Sequence, residues 1–332
     1  MPFVVLERAS MGYRFANLPS LPLLFVRAIV LTLPTSAVAS DACISALAAE
    51  AGRGDVLSPR AIIKGRLEPR LAQAGIHPTG QEPDDRGGHA YVFFGVTAGG
   101  EDCAVKTPWL DLRYTGPQLT LEATPSQPYV DLLKQEGRTL ESLGPHPNVI
   151  GVLDSRYLDD EAYPFLVLQH GGPSLGHVIE RERRFEILRK YWIIPPSKRQ
   201  LAEMRAKRIE ALSLAEGILS GLKHVHAHGT VHGDIKPQNI VVGTDGTARL
   251  IDFGMSRKSG APYPGPRQDS HASENQRKPD ARATFQDDLD SLALILRQIG
   301  VGEPELEQPG QLSSADEFLR AVGKKKKALA AD

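Results

Sequence analysis

With 332 residues, 41% of them hydrophobic, the chain can bury a sizeable core as two domains or as one two-part unit. Its 39 basic and 40 acidic residues leave a formal net charge of −1, which excludes the global electrostatic signature of a nucleic-acid binder. Cys43 and Cys103 are too few for a disulfide framework and suit a reducing compartment, cytoplasmic or nuclear.

Residues 21–33 are mostly apolar, and Ala37-Val38-Ala39 imitates a signal-peptidase site. A long leader precedes this stretch, Arg27 sits within it, and Pro19, Pro22 and Pro34 interrupt or bound it. It is too short and broken for a membrane span. Residues 1–80 are therefore expected to be an extension, partly disordered and without stable membrane insertion. Residues 77–88, rich in Pro, Gly and Asp, look like a linker.

A strand is predicted from Ala90 to Val96, a turn at Gly99-Gly100, and a returning strand over Asp102–Lys106. Val130 to Leu143 has helical character, with Glu136 and Glu141 available as carboxylates. The apolar strand Phe165–Leu168 runs into Gln169-His170-Gly171-Gly172. Residues 180–208 form a charged insertion, read as a solvated face. Leu212, Ala215, Ile218, Leu219, Leu222 and Val225 then recur at helical spacing, with a stop near Gly229. Beyond it, Ile240-Val241-Val242 and Ala248–Ile251 flank Asp245-Gly246, a strong hairpin signal.

That hairpin joins two blocks rich in chemistry, His232-Gly233-Asp234-Ile235-Lys236-Pro237-Gln238-Asn239 and Asp252-Phe253-Gly254. Phosphoryl transfer from a metal nucleotide needs a carboxylate at the incoming hydroxyl, oxygen ligands for the metal and a cation on the moving phosphate. Asp234, Asn239, Asp252 and Lys236 supply those types within one stretch of chain.

In order and spacing the two blocks resemble the catalytic and metal-binding loops of the protein-kinase family. Cys103-Ala104-Val105-Lys106 is similar to that family's strand carrying the nucleotide-binding lysine, and Gln169-His170-Gly171-Gly172 looks like its hinge. The resemblance covers roughly residues 86–300 and implies an α+β bilobal fold, a small antiparallel sheet with one helix beside a mainly helical lobe. The kinase-like domain is expected over 81–325, with its small lobe at about 86–169.

The resemblance also implies ATP and Mg2+ as cofactors and a protein substrate. Asp234 is then the catalytic base and Lys236 the cation on the γ-phosphate. Asn239 and Asp252 hold the metal, Lys106 paired with Glu136 fixes the phosphates, Val92 and Ala104 sandwich adenine, and the backbone of Gln169 and His170 contacts it. The family's three loop glycines fall on Asp85, Gly87 and Ala90, so only Gly87 carries the motif. Asp288, in Asp287-Asp288-Leu289-Asp290, corresponds to the residue that braces the catalytic loop.

In many members an arginine before the catalytic Asp receives an activating phosphate; here Gly233 stands there, so activity is expected not to depend on phosphorylation of the 254–284 segment. Lys236 resembles the serine/threonine-specific branch. Few residues follow for a full large lobe, so either the lobe is expected to be reduced or the chain incomplete, and Lys324–Lys327 read as a solvated basic tail. Two other readings stand beside the enzyme: a pseudokinase scaffold that binds nucleotide weakly, and a small-molecule phosphotransferase.

Overall fold

The structure is a computed structural model that describes residues 7–9, 12–14, 59–80, 90–115, 120–160, 163–180, 198–299, 301 and 303–331. In chain order its elements are β1 (Glu7–Ala9), β2 (Gly12–Arg14), α1 (Pro59–Gln73), β3 (Ile76–Pro78), β4 (Ala90–Thr97), β5 (Asp102–Pro108), β6 (Leu110–Thr115) and β7 (Thr120–Pro125). They continue with α2 (Gln127–Leu143), β8 (Val152–Asp154), β9 (Leu166–Gln169), α3 (Lys198–Ala227), β10 (Thr230–Val231), β11 (Ile240–Val242), β12 (Ala248–Leu250) and β13 (Arg257–Lys258). Three helices close the chain: α4 (Phe285–Gln298), α5 (Pro304–Glu307) and α6 (Ala315–Ala331).

The elements fall into two compact units. The first comprises residues 1–75 and 109–126 and holds the β1–β2 pair, α1 and the β6–β7 hairpin, in which Leu110 pairs with Pro125 and Thr115 with Thr120. The second comprises residues 76–108 and 127–332 and holds all the other elements.

In the second unit an antiparallel sheet of five strands runs in the order β3-β4-β5-β9-β8. The β4–β5 hairpin turns through Gly100, whose φ of 83° suits a residue without Cβ. Alternation along both strands sorts their side chains: Tyr91, Phe93, Cys103 and Val105 are buried, while Val92, Phe94, Ala104 and Lys106 share the opposite, half-open face. Residues 77 and 78, read as linker, belong instead to β3, because Ile76–Pro78 pairs with Gly95–Thr97 as the edge of this sheet. The sheet, with α2 beside it and the mainly helical remainder after β9, is the kinase-type α+β arrangement.

The helical part is built on α3. Its apolar face, Leu212, Ala215, Ile218, Leu219, Leu222 and Val225, is wholly buried in one core with Leu289, Leu292, Ile295 and Leu296 of α4 and Phe318 and Val322 of α6. At Gly221 the helix comes so near the loop after α2 that a Cβ would meet the Asn148 carbonyl oxygen at 2.6 Å. Gly229, at φ 66°, ends the turn after α3.

Two readings of this region are corrected. Residues 198–208 are not a separate insertion, since α3 begins at Lys198; residues 181–197 lie outside the described residues. Lys324–Lys327 are not a free tail: they form part of α6, with Lys325 bound to Glu303 at 2.8 Å and Lys326 to Glu216 at 2.5 Å. Among the described residues no helix is long and apolar enough to cross a membrane.

Candidate active site

Three separate parts of the chain meet at Lys106. Strand β5 presents its ammonium on the open face of the sheet, where Nζ donates to Glu136 Oε2 at 2.6 Å and to Asp252 Oδ1 at 2.9 Å. Glu136 lies on the inner face of α2 and is 1% exposed, whereas Glu141 on the same helix is exposed. Burial works against the Lys106 charge, but the charges of Asp252 and Glu136 outweigh it and hold the ammonium above its ordinary pKa. Burial raises Glu136, with Lys106 pulling the other way.

Asp252 adopts φ 64°, the left-handed region and the one such non-glycine residue described. Phe253, fully buried behind it, sets its ring 4.5 Å from that of His232. Helix α2 grips the same turn, since Gln135 Nε2 donates to Gly254 O at 3.2 Å and to Ser256 O at 2.5 Å.

The β11–β12 hairpin, closed by Asp245-Gly246 with Gly246 at φ 75°, pairs Ile240 with Leu250. It thereby brings the end of the 232–239 loop next to Asp252: Ile251 N–H donates to Asn239 O at 3.0 Å, and His232 Nε2 lies 3.0 Å from Ile251 O. Asp234 is 2% exposed. Its Oδ2 receives Lys236 Nζ at 2.9 Å and Asn239 Nδ2 at 2.7 Å, and Asn239 Nδ2 also reaches Asp234 O at 2.9 Å. With the amide nitrogen committed to Asp234, the Asn239 oxygen is the end that remains to face a cation.

The remaining sequence-predicted residues take these positions. Val92 lies across from Lys106 in the β4–β5 register, and Ala104 across from Phe94, so both stand on the face that carries Lys106. Gln169 ends β9 beside Cys103. His170 comes next, but its backbone N–H already donates to Asp102 O at 3.2 Å, so a donation from that amide to adenine is not on offer. Gly87 lies outside the described residues, and Ala90 begins β4 as a buried residue.

One member of the site has no counterpart in the sequence reading. Arg267, from the segment after Asp-Phe-Gly, donates from one terminal nitrogen to Gly233 O and from the other to Asp234 Oδ1. Its Nε and a terminal nitrogen also bind Asp269 Oδ2 at 2.9 and 2.6 Å. Burial disfavours the Arg267 charge, yet Asp234 and Asp269 more than compensate. No spacing marks Arg267 in Pro264-Gly265-Pro266-Arg267; the one signal is the gap at Gly233 where a cation is usual.

Comparison with known proteins agrees with this geometry. Residues 122–280 match the model of the protein kinase domain, and over this part the chain is similar to eukaryotic-type protein kinases. A protein of Oryza sativa subsp. japonica named among the cyclin-dependent kinases is 32% identical over 140 residues, which are 40% of this chain and 37% of that one. Mitogen-activated protein kinase 12 of Mus musculus is 32% identical over 118 residues, 34% of this chain and 26% of its own length. Mitogen-activated protein kinase kinase kinase 1a of Physcomitrium patens is 34% identical over 113 residues, 34% of this chain and 12% of its own. The chain thus spans about a third or less of the length of these curated relatives.

Proposed function

We propose that the protein is an ATP- and Mg2+-dependent kinase that transfers the γ-phosphate to a serine or threonine hydroxyl of a protein substrate. The observation that carries this reading is the junction at Lys106, where strand, helix and the Asp-Phe-Gly turn converge within 2.9 Å on one cation. Nothing in core packing requires a largely desolvated lysine shared by two carboxylates, and taking three charges out of water is costly. A site that receives phosphates at that cation explains the arrangement.

Mg2+ takes few protein oxygens and fills its remaining positions with water and phosphate oxygens. The Asn239 oxygen and the Asp252 carboxylate fit that demand. When bound, Mg2+ neutralises charge on the phosphates. The rest falls to side chains of this chain. Lys106, fixed by Glu136, orients the α- and β-phosphates. Val92 and Ala104 bracket the adenine on the open face of the sheet, and the Gln169 backbone borders it. Asp234 orients the incoming hydroxyl and takes its proton, while Lys236 offsets charge on the phosphoryl group in transfer.

The test is ATP turnover by the purified protein with a generic protein substrate, with Mg2+ and with a chelator, beside Asp234→Asn. Turnover that requires Mg2+, and is lost in D234N while ATP still binds, is expected. Equal turnover by D234N and wild type would remove Asp234 from the chemistry.

One observation favours a second reading, a nucleotide-binding scaffold: both oxygens of Asp234 already have partners. ATP binding with no turnover in the same assay selects that reading.

A further inference from the structure

We infer that Arg267 is the positioning residue of the catalytic loop, a brace built into the activation segment that holds Asp234 in place without any phosphate. The inference deepens the proposed function and rests on Asp234 being the catalytic base.

The loop has no side chain of its own at position 233, and its backbone there resists one: Gly233 has φ 76°, and an added Cβ would meet Met255 O at 3.0 Å. The segment supplies the missing cation from the other side. Arg267 reaches Gly233 O and Asp234 Oδ1 together, fixing a backbone carbonyl and the adjacent carboxylate with one rigid fork. Gln276 repeats the contact from further along the segment, donating to Gly233 O at 2.8 Å.

The fork is itself anchored. Asp269 Oδ2 holds it at 2.9 and 2.6 Å, and the Arg267 N–H donates to Gln276 O at 2.8 Å. Arg267 is 15% exposed, so these bonds are poorly screened.

Lone-pair arithmetic separates a brace from a plug. An ionised carboxylate accepts at about four positions, and Asp234 receives one bond each from Arg267, Lys236 and Asn239. A position therefore remains for a substrate hydroxyl with Arg267 in place.

The test uses the full chain and compares wild type, Arg267→Ala and Asp234→Asn in the ATP-turnover assay, with KM for ATP and a thermal melt for each. For R267A, kcat falls about 10- to 100-fold, the scale of a misplaced catalytic group, while KM for ATP stays put. Millimolar guanidinium, which a merely structural arginine would not heed, restores part of the loss. If D234N retains turnover, the reading of Asp234 fails whatever R267A does. If D234N is inactive but R267A turns over as fast as wild type or faster, the brace is refuted. A folded R267A whose loss guanidinium does not mend refutes it equally. Should R267A not fold, Arg267→Lys carries the test, since an ammonium cannot fork across Gly233 O, Asp234 and Asp269. Lower kcat at unchanged KM for ATP supports the brace, and wild-type kcat overturns it.

Discussion

Asp288 holds Gly233 and its neighbour by their backbones: Gly233 N–H donates to Oδ1 at 2.8 Å, and His232 N–H donates to Oδ2 at 2.9 Å. Asp288 stands in the first turn of α4 and is 1% exposed, so a rigid helix carries the acceptor pair. His226 Nε2 adds a third contact to Oδ2 at 2.9 Å. Two buried amides that no strand or helix satisfies are thus paired by one carboxylate. The turn that presents Asp234 is held from behind by Asp288, while Arg267 touches it in front.

Asp288→Asn should therefore be damaging although it preserves shape. An amide has one acceptor oxygen, so one of the two buried N–H groups would face an NH2 donor. Leaving a buried donor unsatisfied costs about 1–3 kcal/mol. Urea unfolding should show a loss of that size, with turnover reduced further because Asp234 shifts with its loop. Unfolding midpoints and turnover that match wild type would mean that the turn holds its shape without this brace.

Asp252→Ala separates the metal from the nucleotide. If its carboxylate meets Mg2+, the substitution weakens ATP binding in the presence of Mg2+ more than in a chelator. It also deprives Lys106 of its partner at 2.9 Å, which affects both conditions alike. The difference between conditions is the readout, from thermal shifts titrated with ATP. Identical losses in both would take Asp252 out of the metal site.

What the sequence disclosed and what it hid follow one physical divide. The 232–254 stretch is legible because its residues are fixed locally: a hairpin with a two-residue turn signal spaces the catalytic loop from Asp252. Lys106 and its partner Glu136 are legible through the resemblance of Cys103-Ala104-Val105-Lys106 to the family's lysine strand and through the helical stretch that follows it. Arg267 is different. It meets Asp234 across 33 residues from the irregular chain after β13, where no period or spacing constrains which side chain points inward. The edge strand β3 was hidden because three residues, Ile76–Pro78, carry too little pattern to stand out from a Pro- and Gly-rich stretch. Lys325 and Lys326 looked solvated because their partners, Glu303 and Glu216, come from remote elements.

His232 makes stability sensitive to mild acid. Its Nδ1 accepts the Asp234 N–H at 3.3 Å, so Nε2 carries the proton and donates to Ile251 O at 3.0 Å. Burial lowers the pKa of this ring, against the opposing pull of Asp288, Asp234 and Asp252. The folded pKa thus lies below the unfolded value of about 6.5. The unfolded chain takes up the proton first, so this contribution is complete above that value and is lost as pH falls from there through the folded pKa. Burial lowers His146 too, with the same sign, while Glu136, raised by burial, acts in the opposite sense. Both cancel when wild type is compared with His232→Gln. Melting temperature should fall between about pH 7 and pH 5, with a shallower slope in H232Q. Parallel slopes would assign the acid sensitivity to other groups.

Activity should not depend on phosphorylation between Gly254 and Thr284. Between those two residues lie five hydroxyl side chains, Ser256, Ser259, Tyr263, Ser270 and Ser273. Three of them are buried and already bonded. Ser256 Oγ donates to Phe253 O at 2.7 Å, Tyr263 OH to Asp287 Oδ2 at 3.1 Å, and Ser273 Oγ to Asp287 Oδ1 at 2.6 Å. Adding a dianion beside Asp287 would bring like charges together in a buried site, which disrupts and does not order. Ser259 and Ser270 are exposed and open to modification. A phosphate on either lacks its usual receiver, because position 233 has no side chain and Arg267 is committed to Asp234 and Asp269. Turnover after phosphatase treatment should equal that of untreated protein, with mass spectrometry reporting the sites removed. A large loss that tracks the phosphate on Ser259 or Ser270, and is reproduced by its Ala variant, would show that another cation reads the phosphate and that Gly233 does not release this segment from control.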